Sequence, residues 1–240
     1  MRVFKIYLLG VFFLGTGLQI LSQENISKEL LEKVAIHYKQ QSDYTIDMQY
    51  QMLRGFTGNI VTESYKGTII KKGDVSKYKV LQSEVLQFGG QQLVIDHGQK
   101  LLMYNKVAKT ADQMPISIDG FLESFEIEGV QEQGDVIQYQ LKKKAGATAF
   151  PYNKIILKIN KEKYQVVLQE LFFANKLPFN DTTSKNVPDN ARLRITMNHK
   201  ESIDKKLPKL EAYIQADKNG KIQPTAAYKM YQFIDQTQNN

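Results

Sequence analysis

The 240-residue sequence predicts an α+β protein that is mostly antiparallel β, a curled half-barrel of about ten strands with two or three helices as a lid. From residue 44 onward, many segments alternate apolar and polar residues with a period of two, as half-buried strands do. Gly, Asn and Asp residues separate these segments, as tight hairpins require. Residues 28–40 have helical apolar spacing instead, so one helix precedes the sheet.

The first predicted helix covers residues 28–40. Ser27 is a favourable N-cap, and Ile26 and Leu31 are placed as a hydrophobic staple. Its apolar stripe must pack on another surface, and we expect that surface to be the sheet. The stripe consists of Leu30, Leu31, Val34, Ala35 and Tyr38.

The strands are predicted to form an antiparallel meander, because short turns join most of them. They are placed at residues 44–52, 65–71, 77–82, 84–88, 91–95, 100–105, 125–131, 136–142, 153–159, 164–173 and 192–198. A short amphipathic helix is predicted at 115–125, and 176–190 is predicted to be a polar loop. Residues 207–214 fit either a helix or a short strand, and 228–234 a final strand.

The amino-acid composition excludes several classes of function. The chain contains no cysteine, so a disulfide framework, a thiolate site and an acylated lipoprotein cysteine are excluded. The formal net charge is +7, but Lys142, Lys143 and Lys144 form the only dense basic run. Without interleaved aromatic residues this run predicts a solvated face, and no nucleic-acid partner is expected.

The N-terminus has the layout of a secretory signal. Arg2 and Lys5 precede an apolar run over residues 6–14, and small residues follow up to Ser22. We expect a signal peptide over residues 1–22, removal near Gln23, and a single domain over 23–240. A retained membrane anchor is the alternative, although the apolar run is shorter than the ~20 residues of a spanning helix.

No catalytic residue, metal or cofactor is predicted. His37, His97 and His199 lack the close spacing of a metal site. Some carboxylates leave a glycosidase-like acid/base pair open, although solvated surface carboxylates would look the same. These carboxylates are Glu123, Glu126, Glu128, Asp181 and Asp189.

Many apolar and aromatic side chains fall on the predicted sheet and the second helix. A curled sheet has a concave face, and helices that cover it incompletely leave an apolar cavity that could hold an acyl chain. An ordinary closed core would show the same pattern. The candidate lining residues are Met48, Tyr50, Ile69, Tyr78, Val80, Leu86, Phe88, Leu93, Ile95, Leu102, Tyr104, Phe121, Leu122 and Phe125.

Three segments resemble one known family. Residues 44–52 follow the helix, 64–72 read Ser-Tyr-Lys-Gly-Thr-Ile-Ile-Lys-Lys, and 93–105 read Leu-Val-Ile-Asp-His-Gly-Gln-Lys-Leu-Leu-Met-Tyr-Asn. Together they are similar to the LolA/LolB-like periplasmic lipoprotein carriers, over roughly residues 27–110. The resemblance implies a half-barrel with a helical lid over a hydrophobic cavity that shields acyl chains.

The family likeness implies a monomeric periplasmic carrier of lipid or acylated lipoprotein, which exchanges its cargo with a membrane-bound donor or acceptor protein. The carriers usually have Arg-Pro at a basic turn, and that arginine helps to hold the lid closed. Lys72 and Gly73 stand at the matching positions, so Lys72 is the candidate lid latch. A solvated hairpin lysine is the alternative. The turn at Asp96 also carries two extra residues, His97 and Gln99.

Three other functions stay open. An envelope sensor or assembly factor would use the same fold to bind a protein, and a large exposed apolar patch would favour it. A hydrolase would need a carboxylate or histidine with a perturbed environment in the cavity. An integral outer-membrane protein is disfavoured by the helices and by the polar residues 236–240.

Overall fold

The computed structural model describes residues 16–107, 118–180, 187–200 and 206–239. Its helices are α1 (Thr16–Gln40) and α2 (Ile118–Ser124). The predicted end of α1 is confirmed, with the Gln41 amide bonded to the His37 carbonyl at 2.9 Å. The predicted start at residue 28 is wrong, because Ser27 lies inside the helix. An N-cap residue starts a helix only where the chain before it is not helical, and no proline in residues 16–26 prevents helix formation there.

One 12-stranded sheet forms the body of the protein, and the predicted fold class is confirmed. In spatial order its strands are β16-β6-β5-β4-β3-β2-β1-β13-β10-β9-β8-β7. Their bounds are β1 Asp43–Arg54, β2 Val61–Lys72, β3 Val75–Val80, β4 Ser83–Phe88, β5 Gln91–Asp96, β6 Leu101–Lys106, β7 Phe125–Gln133, β8 Val136–Lys143, β9 Tyr152–Asn160, β10 Gln165–Phe173, β13 Ala191–Lys200 and β16 Gln232–Asp235.

Two meanders make up this sheet. Strands β1 to β6 follow one another as hairpins, and β7 to β10 form a second series. Strand β13 joins them by pairing antiparallel with β1 from Thr45 opposite Lys200 to Arg54 opposite Ala191, and with β10 on its other side. The expected final strand is present as β16, but it pairs parallel with β6 and so forms the edge of the sheet.

Short strands and a 3-10 turn form in the predicted loop 176–190 and in the C-terminal region that starts at residue 207. The predicted polar loop contains a small hairpin of β11 (Leu177–Phe179) and β12 (Val187–Asp189), while residues 181–186 lie outside the described residues. Near the C-terminus, a 3-10 turn (Leu210–Ala212) leads into a second hairpin of β14 (Ile214–Ala216) and β15 (Ile222–Pro224). Both alternatives for residues 207–214 are therefore partly realised.

Helix α1 packs on the sheet through its apolar stripe, as predicted. Leu31, Val34, Ala35 and Tyr38 are at most 3% exposed and belong to one core with β1, β8, β9, β10 and β13. Burial of a leucine or valine side chain stabilises a fold by roughly 1.5–3 kcal/mol, so this stripe accounts for the position of α1. No helix in the described ranges has the length and apolarity needed to cross a membrane.

The β3–β4 turn has an unfavourable residue. Leu81 is 59% exposed and has a φ of +50°, a region that leucine rarely adopts. We expect Leu81→Gly to raise the free energy of unfolding by roughly 0.5–1 kcal/mol in urea denaturation, because the left-handed strain is relieved. The matched control Ser83→Gly, inside β4, should lower it. A Leu81→Gly variant no more stable than the parent would contradict the strain.

Candidate functional site

The strand register assigns each side chain to one face of the sheet, since directly paired residues share a face. Starting at Ile46 on β1, one cross-strand row continues through Ile69, Tyr78, Val85 and Val94 to Met103 on β6, and Ile234 on β16 lies in register beyond it. Ile46 packs with the helix stripe, so we call this face the helix side and the opposite one the back. The whole row is apolar or aromatic.

Burial falls along this row. Ile46 is fully buried and Ile69 is 6% exposed, whereas the four residues from Tyr78 to Met103 are only half-buried. The reason is that α1 and α2 contribute to the core over β1 and the second meander, not to a core over β4 to β6. We call the half-buried part the outer row: Tyr78, Val85, Val94 and Met103.

Polar side chains border the outer row on the helix side. The row beside it runs from Lys71 through Ser76, Gln87 and Gln92 to Asn105. Gln87 is buried, and the Asn105 side-chain oxygen is buried without a hydrogen-bond partner in the described part of the chain. An amide oxygen in that state has an unused capacity to accept a hydrogen bond.

A pair of tyrosines lies at the other side of the outer row. The Tyr50 and Tyr78 hydroxyls are 3.1 Å apart, and the Tyr50 hydroxyl also donates to the Met48 sulfur at 3.1 Å. Burial raises the pKa of Tyr50, and the bond to Tyr78 raises it further, so the Tyr50 hydroxyl stays protonated. Gly67 makes room for them, since a Cβ there would come within 2.9 Å of the Tyr50 ring.

The predicted lining residues do not share one face. Met48, Ile69, Phe121 and Phe125 are buried in the helix-side core, with Tyr50, Tyr78 and Leu122 partly buried against it. Val80 is half-buried on the same face, in register with Gly67. These eight positions are therefore on the side where the cavity was expected.

The other six lie on the back, which corrects their placement. Five of them form a separate core under the C-terminal segment that includes Tyr213 and Ile214, and Phe88 packs against it. Strands β4 to β6 have apolar residues at consecutive positions, so alternation could not decide which set faces the helices. The six are Leu86, Phe88, Leu93, Ile95, Leu102 and Tyr104.

Lys144, which the sequence predicts to lie on a solvated face, instead contacts helix α2. The Lys144 ammonium donates to the carbonyls of Leu122 and Glu123 at 2.8 and 3.0 Å, at the C-terminal end of α2. Lysine at a helix C-terminus also favours the helix dipole. Lys72 lies at the end of β2, beside the Gly73 amide that bonds to the Ser42 carbonyl, and its role as a latch stays a prediction.

A histidine network holds the end of α1. The Tyr38 hydroxyl accepts from the Val166 amide at 3.1 Å, and His199 Nε2 lies 3.1 Å from that hydroxyl and 2.9 Å from the Val166 carbonyl. Burial lowers the pKa of His199, His37 nearby lowers it further, and the Val166 carbonyl opposes both. These contacts give His199 a structural role at the helix end.

Buried carboxylates do not form an acid/base pair in the described part of the chain. Glu84 is buried on the back, 2.8 Å from Lys77 and 3.3 Å from Lys79. Burial raises the pKa of Glu84, but the two lysines lower it more, so the carboxyl is ionised and paired. Asp189 bonds to Arg54 at 2.8 Å, and Asp181 lies outside the described residues. The described residues contain no group of three or more metal ligands.

Comparisons with known proteins come from solved structures alone, since no family model and no curated protein matches the chain. A conserved protein from Thermus thermophilus is 8% identical with a TM-score of 0.45, over 88% of this chain and 99% of that one. A LolA superfamily protein from Nitrosomonas europaea is 12% identical with a TM-score of 0.33, over 75% and 94%. The Pseudomonas aeruginosa MucA/MucB complex matches at 10% identity and 0.38, over 78% and 59%. The second of these is a member of the family that the sequence motifs resemble. At these scores the matches assign no ligand, partner or activity to this chain.

We expect the stability of the protein to fall as the pH drops below about 6.5, the ordinary pKa of histidine. The folded pKa of His199 is below its unfolded value, so its contribution is complete above the unfolded pKa and is lost as the pH falls through the folded one. Urea denaturation at several pH values measures this, with a slope of at most about 1.4 kcal/mol per pH unit. His199→Gln should have a shallower slope; an unchanged slope would place the titration elsewhere.

Removal of the Lys144 ammonium should loosen α2. In Lys144→Met, we expect faster hydrogen exchange for the backbone amides of α2, because two carbonyls at its end lose a charged donor. Lys142→Met is the matched control, a neighbouring lysine whose side chain is exposed on β8. Equal exchange in both variants would show that the Lys144 contacts do not hold the helix.

Proposed function

We propose that the protein is a binding protein of the periplasm that holds the acyl chain of a lipid or acylated lipoprotein along the outer row. The observation that carries this proposal is the apolar cross-strand row, which continues past the helices and becomes half-buried where they end. A half-buried apolar row beside a fully buried core is a surface that a second apolar group can complete.

The dimensions and chemistry of the row favour an acyl chain. From Tyr78 on β3 to Met103 on β6 the row crosses three strand spacings, about 14 Å, which is the length of a medium acyl chain. Each methylene buried there would contribute about 0.8 kcal/mol. The half-buried Gln92 in the flanking polar row supplies hydrogen bonds for a polar head group.

Binding rather than catalysis is the activity that these residues support. The ionised Glu84 is on the back and is paired with lysines, and His199 bonds to a backbone carbonyl. In the described residues, the outer row and its polar border consist of side chains that pack or hydrogen-bond, without a nucleophile held against a base. A hydrolase is therefore the weaker proposal.

Export is part of the same proposal. The N-terminal layout supports a signal peptide over residues 1–22, of which residues 1–15 lie outside the described residues. Cleavage near Gln23 would leave α1 with its buried stripe intact, because the stripe starts at Leu31. The remaining residues 23–240 would then act as a single periplasmic domain and a monomeric carrier.

A charged residue on the outer row should abolish acyl binding. We expect Val94→Asp to weaken the binding of a dansyl-labelled fatty acid at least tenfold, because a carboxylate would be placed against the hydrocarbon. Fluorescence titration measures this. Val75→Asp is the matched control, the same change at a half-buried valine in register with Lys72 on the back.

The two variants separate the outcomes. If both bind the probe like the parent while circular dichroism shows intact folds, the outer row does not hold acyl chains. If the parent does not bind the probe at all and an extended peptide is bound instead, the same fold serves a protein partner, as an envelope sensor would require.

A further inference from the structure

The loop between β1 and β2 and the first residue of β2 expose apolar side chains to solvent. Phe56 is 38% exposed, Ile60 is 65% exposed and Val61 is 41% exposed. They are three of the six large apolar side chains that are exposed in the described part of the chain, and they fall within six residues. We call these three side chains the apolar tip. Singly exposed apolar residues are common, but three of them within six consecutive residues indicate an interaction surface.

The loop is held in one shape, so the exposure is a feature of its structure. The Arg192 guanidinium, 4% exposed, donates to the carbonyls of Gly55 at 3.0 Å and of Gly58. The Gly55 amide donates to the Asn190 carbonyl at 2.7 Å, and the Arg54 amide to the Ile60 carbonyl at 3.0 Å. Gly55 and Gly58 have φ values of +81° and +73°, which glycine adopts without strain.

A neighbouring aromatic contact connects the tip to a basic surface. The Phe56 ring packs edge-on against Phe172 at 5.7 Å, and the Lys154 ammonium lies over the same Phe172 ring at 5.3 Å. The register places Lys142, Lys154, Phe172 and Arg192 in one cross-strand row on the back of the sheet. Phe172 and Arg192 are buried, so Lys142 and Lys154 carry the surface charge of this row, which we call the basic row.

The rest of the dense basic run lies at the same end of the sheet. Lys143 pairs with Phe125 at the end of β8 and donates to the Phe150 carbonyl at 2.7 Å, and the exposed Lys144 follows it. The acidic residues nearby are fewer. Glu170 bonds to Arg194 at 2.6 Å, Asp189 bonds to Arg54, and Glu126 lies opposite Lys142 in the β7–β8 register. The end of the sheet that bears the apolar tip is therefore cationic.

We propose that the apolar tip and the basic row form a docking surface for an anionic phospholipid membrane. Apolar side chains on a rigid loop can enter the boundary between head groups and acyl chains, and lysines beside them attract anionic head groups by about 1 kcal/mol each. An acidic protein would meet the same cations, but it would not require three exposed apolar side chains within six consecutive residues. Docking at this end is separate from the outer row and does not depend on it.

Vesicle flotation tests the docking surface. The purified chain should float with vesicles of phosphatidylethanolamine and phosphatidylglycerol, and much less with phosphatidylcholine alone, and added salt should weaken the binding. Phe56→Ser/Ile60→Ser should lower the partition coefficient roughly tenfold or more, because the apolar anchors are removed. The matched control is Ile36→Ser/Leu81→Ser, which removes two exposed apolar residues elsewhere and should bind like the parent.

A second pair of variants tests the charge. Lys142→Gln/Lys154→Gln should lower binding to the anionic vesicles at least tenfold, whereas Lys218→Gln/Lys221→Gln, at the C-terminal hairpin turn, should leave it unchanged. Equal binding by the tip variant and its control would overturn the proposal, and so would equal binding by the two lysine pairs. Failure of the parent to bind anionic vesicles while it binds an acidic protein would also overturn it.

The tip variants also separate this proposal from the function of the outer row. Phe56→Ser/Ile60→Ser should keep the parent's affinity for the dansyl-labelled fatty acid in the absence of vesicles. Val94→Asp should keep the parent's flotation with anionic vesicles. Loss of both activities in either variant, with an intact fold, would contradict two separate sites.

Discussion

The pairing of β1 with β13 is the interaction on which the rest of the structure depends. It joins two hairpin meanders into one sheet over a continuous register from Thr45 opposite Lys200 to Arg54 opposite Ala191. The partners are far apart along the chain, so closing this pair costs much more loop entropy than any hairpin in the sheet. The long central strands offset that cost, and apolar side chains such as Ile46, Met48, Ile195 and Met197 gain burial there.

The two meanders on either side of the β1–β13 pair are covered on opposite faces of the sheet. Helices α1 and α2 share a core with the second meander on the helix side. The C-terminal segment covers β4 to β6 from the back, where Tyr213 and Ile214 are buried. This crossed arrangement leaves the helix side of β4 to β6 as a half-buried apolar surface with a polar border, which is the candidate ligand site.

Each of the two proposed surfaces is built from a cross-strand row that the strand register creates. A row on the helix side collects Val85, Val94 and Met103 from three strands, although they are separate in sequence. A row on the back collects Lys142, Lys154 and Arg192 in the same way. Paired strands bring such residues to within a few strand spacings of about 4.8 Å, so neither surface is visible as a linear motif.

The sequence by itself determined the strands of both meanders, the stripe of α1 and the fold class, because side-chain periodicity is a local property of the chain. Only the tertiary structure decided which face Leu86 and Leu93 occupy, since strands with apolar residues on both faces have no preferred side until a helix or a C-terminal segment covers one of them. The same holds for Ser27, which only its neighbours' conformation could exclude as a cap, and for Leu81, whose left-handed turn no local preference predicts. The contact of Lys144 with α2 also depends on the tertiary structure. A run of lysines predicts a solvated face, and only the fold places the carbonyls of a helix beside it.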